Sequence, residues 1–174
     1  MKTYIELTEY LVESSLGRVH QHVKDKDTTL AIISAFRKED KNEKQLSRKD
    51  NLSRNKRLSQ DIKRLKHGFF VVDGSYIEIK GGRVFEDSFF IVPDKEYDRK
   101  KFKSEMVALC KKYDQDSVLV RVAGEKSTYF DKTGKDVGSF SGISFDVNLK
   151  KDKYYTKLRG GKDSVKSKRG FKYE

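Results

Sequence analysis

From Thr28 to Val122 the spacing of apolar residues alternates between a two-residue and a 3.6-residue period, and few folds can bury the faces this creates. The order is strand, helix, strand, strand, helix, strand. The run Thr28-Thr29-Leu30-Ala31-Ile32-Ile33-Ser34-Ala35-Phe36 reads as a buried strand, stopped by Arg37-Lys38-Glu39-Asp40 and a polar loop to about residue 46. The helix that follows has marked ends. Ser47 can cap it, Asp50 sits at its third position, and Gly68 closes it after Lys66 and His67. Its inward stripe is Asn51, Asn55, Leu58, Ile62 and Leu65, apolar in the second half and amide in the first. Phe69 to Val72 and Tyr76 to Lys80 predict an interrupted strand or a hairpin about Asp73-Gly74. A turn at Gly81-Gly82 then leads to a strand from Val84 to Val92, ended by Pro93. Phe102, Met106, Leu109, Cys110 and Tyr113 form one apolar stripe of a helix predicted over 97–113. Ser117 to Val122 predicts a strand, with Thr128 to Asp131 its hairpin partner.

These elements predict an α+β fold: a mainly antiparallel sheet with two or three helices on one face. The specific expectation is a ferredoxin-like β-α-β-β-α-β core between Thr28 and Val122. A further helix is predicted over 4–16, with Tyr4, Leu7 and Leu11 on one side and Gly17 at its end. One domain over 1–135 is expected to carry a Gly/Lys-rich basic extension over 136–174, partly packed on it. Ile143 to Val147 and Tyr154-Tyr155 would add an edge strand, and the last dozen residues read as a basic tail.

Charged residues reach 38% against 35% hydrophobic, which would suit a disordered chain, but 11 Phe and 9 Tyr in β-like runs predict a folded one. The lone cysteine, Cys110, excludes an internal disulfide and a cysteine-based zinc site, and its place on the apolar stripe reads as core packing. The first residues show no apolar stretch like a signal peptide and no run approaches a membrane span, so the expected setting is a reducing cytoplasm or a particle assembled there.

The net charge of +12 is gathered in two places. Residues 37–67 carry +7 and residues 150–174 carry +7, while the remainder is close to neutral. Arg48, Lys49, Arg54, Lys56, Arg57, Lys63 and Arg64 cannot all occupy the buried stripe of their helix. Lys157, Arg159, Lys162, Lys166, Lys168, Arg169 and Lys172 are interleaved with Tyr154, Tyr155, Phe171 and Tyr173. Cations release counterions from a phosphate backbone and aromatic rings stack on unpaired bases, so this pattern predicts binding of nucleic acid or another polyanion. Charge runs also serve solubility alone.

A polar group offers a second reading. Amides on an inward stripe need partners, and Glu86 and Ser88 share one side of a strand. Asn51, Asn55, Glu86 and Ser88 could line a pocket with Arg37 at its rim, able to hold a nucleotide, a sugar or a main-chain segment. Asparagines near a helix start also bond loop backbone, and that alternative stays open. His20, His22 and Glu13 make an incomplete metal set, and His67 reads as a helix-end residue. There is no phosphate-binding Gly loop, dinucleotide fingerprint or nucleophile elbow. No catalytic residue, metal or cofactor is therefore expected.

Several stretches resemble a widespread group of tailed-bacteriophage proteins without an assigned reaction. They are Ser14-Ser15-Leu16-Gly17-Arg18-Val19-His20-Gln21-His22, Ile33-Ser34-Ala35-Phe36-Arg37, Asn51-Leu52-Ser53-Arg54-Asn55-Lys56-Arg57-Leu58, Leu65-Lys66-His67-Gly68-Phe69, Gly74-Ser75-Tyr76-Ile77-Glu78, Glu86-Asp87-Ser88-Phe89-Phe90-Ile91-Val92 and Gln115-Asp116-Ser117. The latter half is also similar to a bacterial domain family. The resemblance implies a phage gene product acting in the cytoplasm of an infected bacterium or carried in the virion. The expected function is a non-enzymatic accessory protein binding nucleic acid. Inhibition of a host protein, nucleotide binding or modification, and a minor structural role in the virion are the alternatives.

Overall fold

In a computed structural model, residues 18–19, 21–37, 45–77, 83–140, 143–146, 154–158 and 170–173 are described. Their nine strands form one antiparallel sheet in the order β6-β5-β4-β1-β3-β2-β8-β9-β7. The strands are β1 (Leu30–Ile33), β2 (Gly68–Ile77), β3 (Arg83–Val92), β4 (Ser117–Arg121), β5 (Ser127–Asp131), β6 (Asp136–Phe140), β7 (Ile143–Asp146), β8 (Tyr154–Leu158) and β9 (Gly170–Tyr173). Helix α2 (Arg48–Arg64) joins β1 to β2, and α3 (Arg99–Lys112) joins β3 to β4. The central order β4-β1-β3-β2, antiparallel throughout, is that of the ferredoxin-like core. Beyond β4 the sheet continues through β5 and β6, and beyond β2 through β8, β9 and β7.

Strand alternation divides the core into two layers. Ala31, Ile33, Phe89, Ile91, Val118 and Val120 face α2 and α3, meeting Leu58, Ile62, Phe102, Met106, Leu109 and Cys110. Leu30, Phe90 and Val72 point the other way, onto Val19 and Val23. Those two valines belong to a short helix, α1, described at residues 18–19 and 21–24. Buried Arg121 fastens α1 to the sheet. Its guanidinium donates to the carbonyls of His22 (2.6 Å), Val23 (2.9 Å), Asp25 (2.9 Å) and Thr28 (3.2 Å). Carbonyls in the last helical turn have no partner within the helix, so one planar donor satisfies several at once.

Helix α2 starts as its sequence dictates. Ser47 accepts from the Asp50 N–H, and the Asp50 carboxylate accepts from the Ser47 N–H. It ends at Arg64, four residues before Gly68, because Lys66 takes the left-handed conformation (φ 63°) that glycine was expected to supply. Asp61 joins its buried side, where it accepts from the Tyr113 hydroxyl (2.6 Å), Lys112 Nζ (2.7 Å) and Arg64 (2.9 Å). β2 runs unbroken through Asp73-Gly74, where an interruption or hairpin was expected. No helix among the described residues is long and apolar enough to cross a membrane. The expected helix over 4–16 and the basic run 161–169 lie outside the described residues.

Candidate active site

The pairing of β2 with β3, beside the residue that follows β1, brings together a carboxylate, two hydroxyls and a bare stretch of backbone. Glu86 stands directly across from Gly74, and Ser88 across from Val72. By alternation Glu86 and Ser88 share the face of Phe90, away from α2 and α3. Ser34, continuing the face of Leu30 and Ile32, donates its hydroxyl to the Asp87 carbonyl at 2.9 Å. A Cβ on Gly74 would lie 2.7 Å from Ser88 Oγ and 3.3 Å from Glu86 Cγ. Glycine is therefore needed here for close approach, and its missing side chain gives the other two room. On its other edge Gly74 is in register with Thr156 of β8.

Ser34 and Ser88 are buried and Glu86 partly so. Desolvation, reinforced by the charge of neighbouring Asp87 and opposed by the Ser34 hydroxyl, pushes the Glu86 carboxyl up to about 7. None of these influences comes from a cation. A carboxyl poised near neutrality can change charge at physiological pH, and such groups gather at functional sites.

The two asparagines lie on the other side of the sheet and grip main chain. Asn55 Oδ1 accepts from the Ala35 N–H (2.7 Å) and its Nδ2 donates to the Asp87 carbonyl (2.6 Å). Asn51 both accepts from the Arg37 N–H (2.8 Å) and donates to the Arg37 carbonyl (2.9 Å). The Arg37 guanidinium reaches Asp114 (3.4 Å) and Asp116 (3.5 Å). Glu86 and Ser88 thus come together as expected from their spacing, while Asn51, Asn55 and Arg37 meet the chain from behind. Ser34 and Gly74 went unnoticed in the sequence. The signal available for them was the alternation of the flanking apolar residues, which carries Ser34 onto the face of Glu86.

Of the three histidines, His20 lies outside the described residues, as does Glu13, while the His22 carbonyl accepts from Arg121. His67 is buried with Nε2 2.9 Å from Glu105 Oε2. No cluster of three or more metal-ligating residues occurs among the described residues. Cys110 is buried among the core residues of α3.

A family model described as the S-adenosylmethionine lyase family matches residues 31–163, a span that includes Ser34, Asn55, Gly74, Glu86 and Ser88. The chain belongs to that family. A solved structure of a phage S-adenosylmethionine lyase in complex with S-methyl-5′-thioadenosine is similar at 19% identity, over 65% of this chain and 85% of that one, with a TM-score of 0.32. No curated protein sequence matches the chain.

Membership of the S-adenosylmethionine lyase family overturns the expected non-enzymatic accessory role. It likewise replaces nucleic acid, host protein and virion partners with a small molecule as the expected ligand class. The charge argument weakens on physical grounds as well. Arg54 is spent inside the fold, donating to the carbonyls of Ala35 and Tyr113. Arg64 pairs with Asp61, and Lys63 sits 5.9 Å over the Phe69 ring. Arg48, Lys49, Lys56 and Arg57 remain as an exposed helix surface, which solubility alone can explain. Lys157 and Lys172 fall within β8 and β9, whereas Arg159, Lys162, Lys166, Lys168 and Arg169 lie outside the described residues.

Proposed function

We propose that this protein cleaves S-adenosylmethionine without water, and that Glu86 is the carboxylate that meets the cationic substrate. The observation that carries this reading is the family match across residues 31–163. Sulfonium chemistry supports it: as the substrate's own carboxylate oxygen bonds to the carbon attached to sulfur and closes a lactone, the carbon–sulfur bond breaks, its electron pair goes to sulfur and a neutral thioether leaves. Such a leaving group needs no proton from an acid. The chain can therefore do its work without a nucleophile–base constellation, by holding the substrate in a reactive shape and screening it from water.

Glu86 suits a cationic ligand. A desolvated carboxyl whose charged neighbour is Asp87 is costly to ionise, and a bound cation would offset that cost and draw the proton off. Ser34, Ser88 and the backbone at Gly74 offer uncharged contacts beside it. The working setting we infer is the cytoplasm of an infected bacterium, supported by the resemblance to tailed-phage proteins.

The test is to incubate the purified protein with S-adenosylmethionine and follow substrate loss and thioether nucleoside release by chromatography and mass spectrometry. Consumption at every enzyme concentration with stoichiometric thioether is the expected result. Unchanged substrate across pH 6–9 would sink the reading.

The pH dependence follows from the raised carboxyl. Below its pKa of about 7 the Glu86 side chain is neutral and cannot pair with a cation. Accordingly kcat/KM should rise with pH through a midpoint near 7 and level off above it. A profile flat from pH 6 to 8 would remove Glu86 from the rate equation. Gly74→Ala should also be damaging, since its Cβ must displace Ser88 Oγ and the Glu86 stem. Shifts of that size in a site cost on the order of 100-fold in rate. Steady-state kinetics alongside thermal unfolding would check it: the rate should collapse while the melting transition stays cooperative.

A further inference from the structure

The sheet face that carries Glu86 is also the face on which α1 lies. Val19 and Val23 share one buried cluster with Leu30, Phe90 and Val72. Val72 is paired with Ser88, and the next pair on that face is Gly74 with Glu86. Burial follows this order along the strands. Phe90 and Val72 are wholly buried, Ser88 is 3% exposed, and Glu86 is partly exposed. The cover therefore thins between Ser88 and Glu86, which places the candidate site at the margin of the helix.

The helix is held at its far end. Arg121 pairs with Leu30, and Phe90 pairs with Ile32, one two-residue step nearer the site. Ser88 and Glu86 follow at further steps along β3, so Glu86 lies about 20 Å along the sheet from the row of Arg121. Helix α1, about 10 Å long over residues 18–24, bridges part of that distance. Arg121 donates to the carbonyls of His22, Val23 and Asp25, in the last turn of the helix or just after it. Arg18, Gln21 and Lys24 are exposed, while Val19 and Val23 are buried against the sheet. An element seated on a small apolar area opens more readily than the core behind it.

We propose that α1 is the wall that keeps water from Ser88 and Glu86, and that Arg121 is a positioning residue that sets this wall from its opposite end. One planar guanidinium holding several carbonyls fixes the tilt of the helix as well as its place. The desolvation that dominates at Glu86 agrees with such a wall. A site that breaks a sulfonium gains from it, because electrostatic contacts strengthen as water leaves. That benefit rests on the lyase reading, whereas the wall itself does not.

The experiment is thiol labelling of the full chain carrying Ser88→Cys, with Cys110 as the internal reference. Cys110 belongs to α3 and is buried in the layer on the other face, so its modification reports opening of the whole fold. Arg121→Lys keeps the charge but loses the planar fork. It should speed modification at position 88 roughly tenfold while Cys110 stays protected. Val19→Ala, which trims the seat of the helix, should act in the same direction. If Arg121→Lys fails to fold, Arg121→Gln, which still offers two N–H donors, takes its place. An unmoved rate at position 88 in a folded Arg121 variant would overturn the proposal. Equal acceleration of both thiols, or failure of both Arg121 variants to fold, would overturn it too, by showing that Arg121 holds the whole molecule. If the parent leaves S-adenosylmethionine intact while position 88 opens as expected, the lyase reading fails and the wall stands.

Discussion

Replacing Glu86 by Gln should cost on the order of 10²–10³ in kcat/KM and at the same time make the protein harder to unfold above pH 7. The loss follows from removing the charge proposed to meet a cation in a desolvated place. The gain follows from linkage. An exposed glutamate in the unfolded chain titrates near 4.5, and Glu86 in the folded protein near 7. Between those values the folded state holds a proton that the unfolded state has released, so stability falls as pH rises through that window and stays low above it. Glutamine has no charge to desolvate and escapes the fall. Thermal unfolding of both proteins at pH 5 and pH 8 reads this directly: the two should differ little at pH 5, and the variant should melt several degrees higher at pH 8. A variant that is inactive and also less stable at pH 8 would recast Glu86 as a structural residue.

Arg121→Met should be the most damaging single change to stability, at about 3 kcal/mol or more. Methionine fills a similar volume but withdraws every donor from the carbonyls of His22, Val23, Asp25 and Thr28. Those carbonyls sit at the end of α1 and in the turn after it, beside a guanidinium that is itself buried. The cost should fall unevenly. Amide hydrogen exchange should speed up first in α1, at Val23, while the amides of α2 and α3 on the opposite face of the sheet keep their protection. Unchanged protection in α1 would show that it is fastened by something other than Arg121.

The core was legible because its signals are local and repeated. The capping box at Ser47 and Asp50, the stripe from Phe102 to Tyr113, and the strand order from Thr28 to Val122 each follow from periodicity, and together they leave one economical packing. Asp61 and Arg121 were missed for a shared reason: a charged residue in an apolar pattern reads as surface until its partners are known. Asp61 finds Tyr113 and Lys112 across 52 and 51 residues, and Arg121 finds carbonyls 93 to 99 residues away. Asp73-Gly74 looked like a turn because that pair usually is one, but the glycine is there to let Ser88 and Glu86 come close. The proposed function was illegible for the same physical reason as the candidate site. A carboxylate, two hydroxyls and a glycine drawn from two strands and the residue after a third leave no spacing that a motif could capture. The concentrated charge was visible, and it pointed elsewhere.

The position of β8 has a consequence for the birth of the protein. β2 leaves one long side open after it pairs with β3, and the segment that covers it, Tyr154–Leu158, is made some 80 residues later. A nascent chain that has already formed the pairs among β1, β2 and β3 therefore waits on the ribosome with raw strand backbone beside Gly74. The strand edge beside Gly74 gains its cover only once Tyr154–Leu158 has been made.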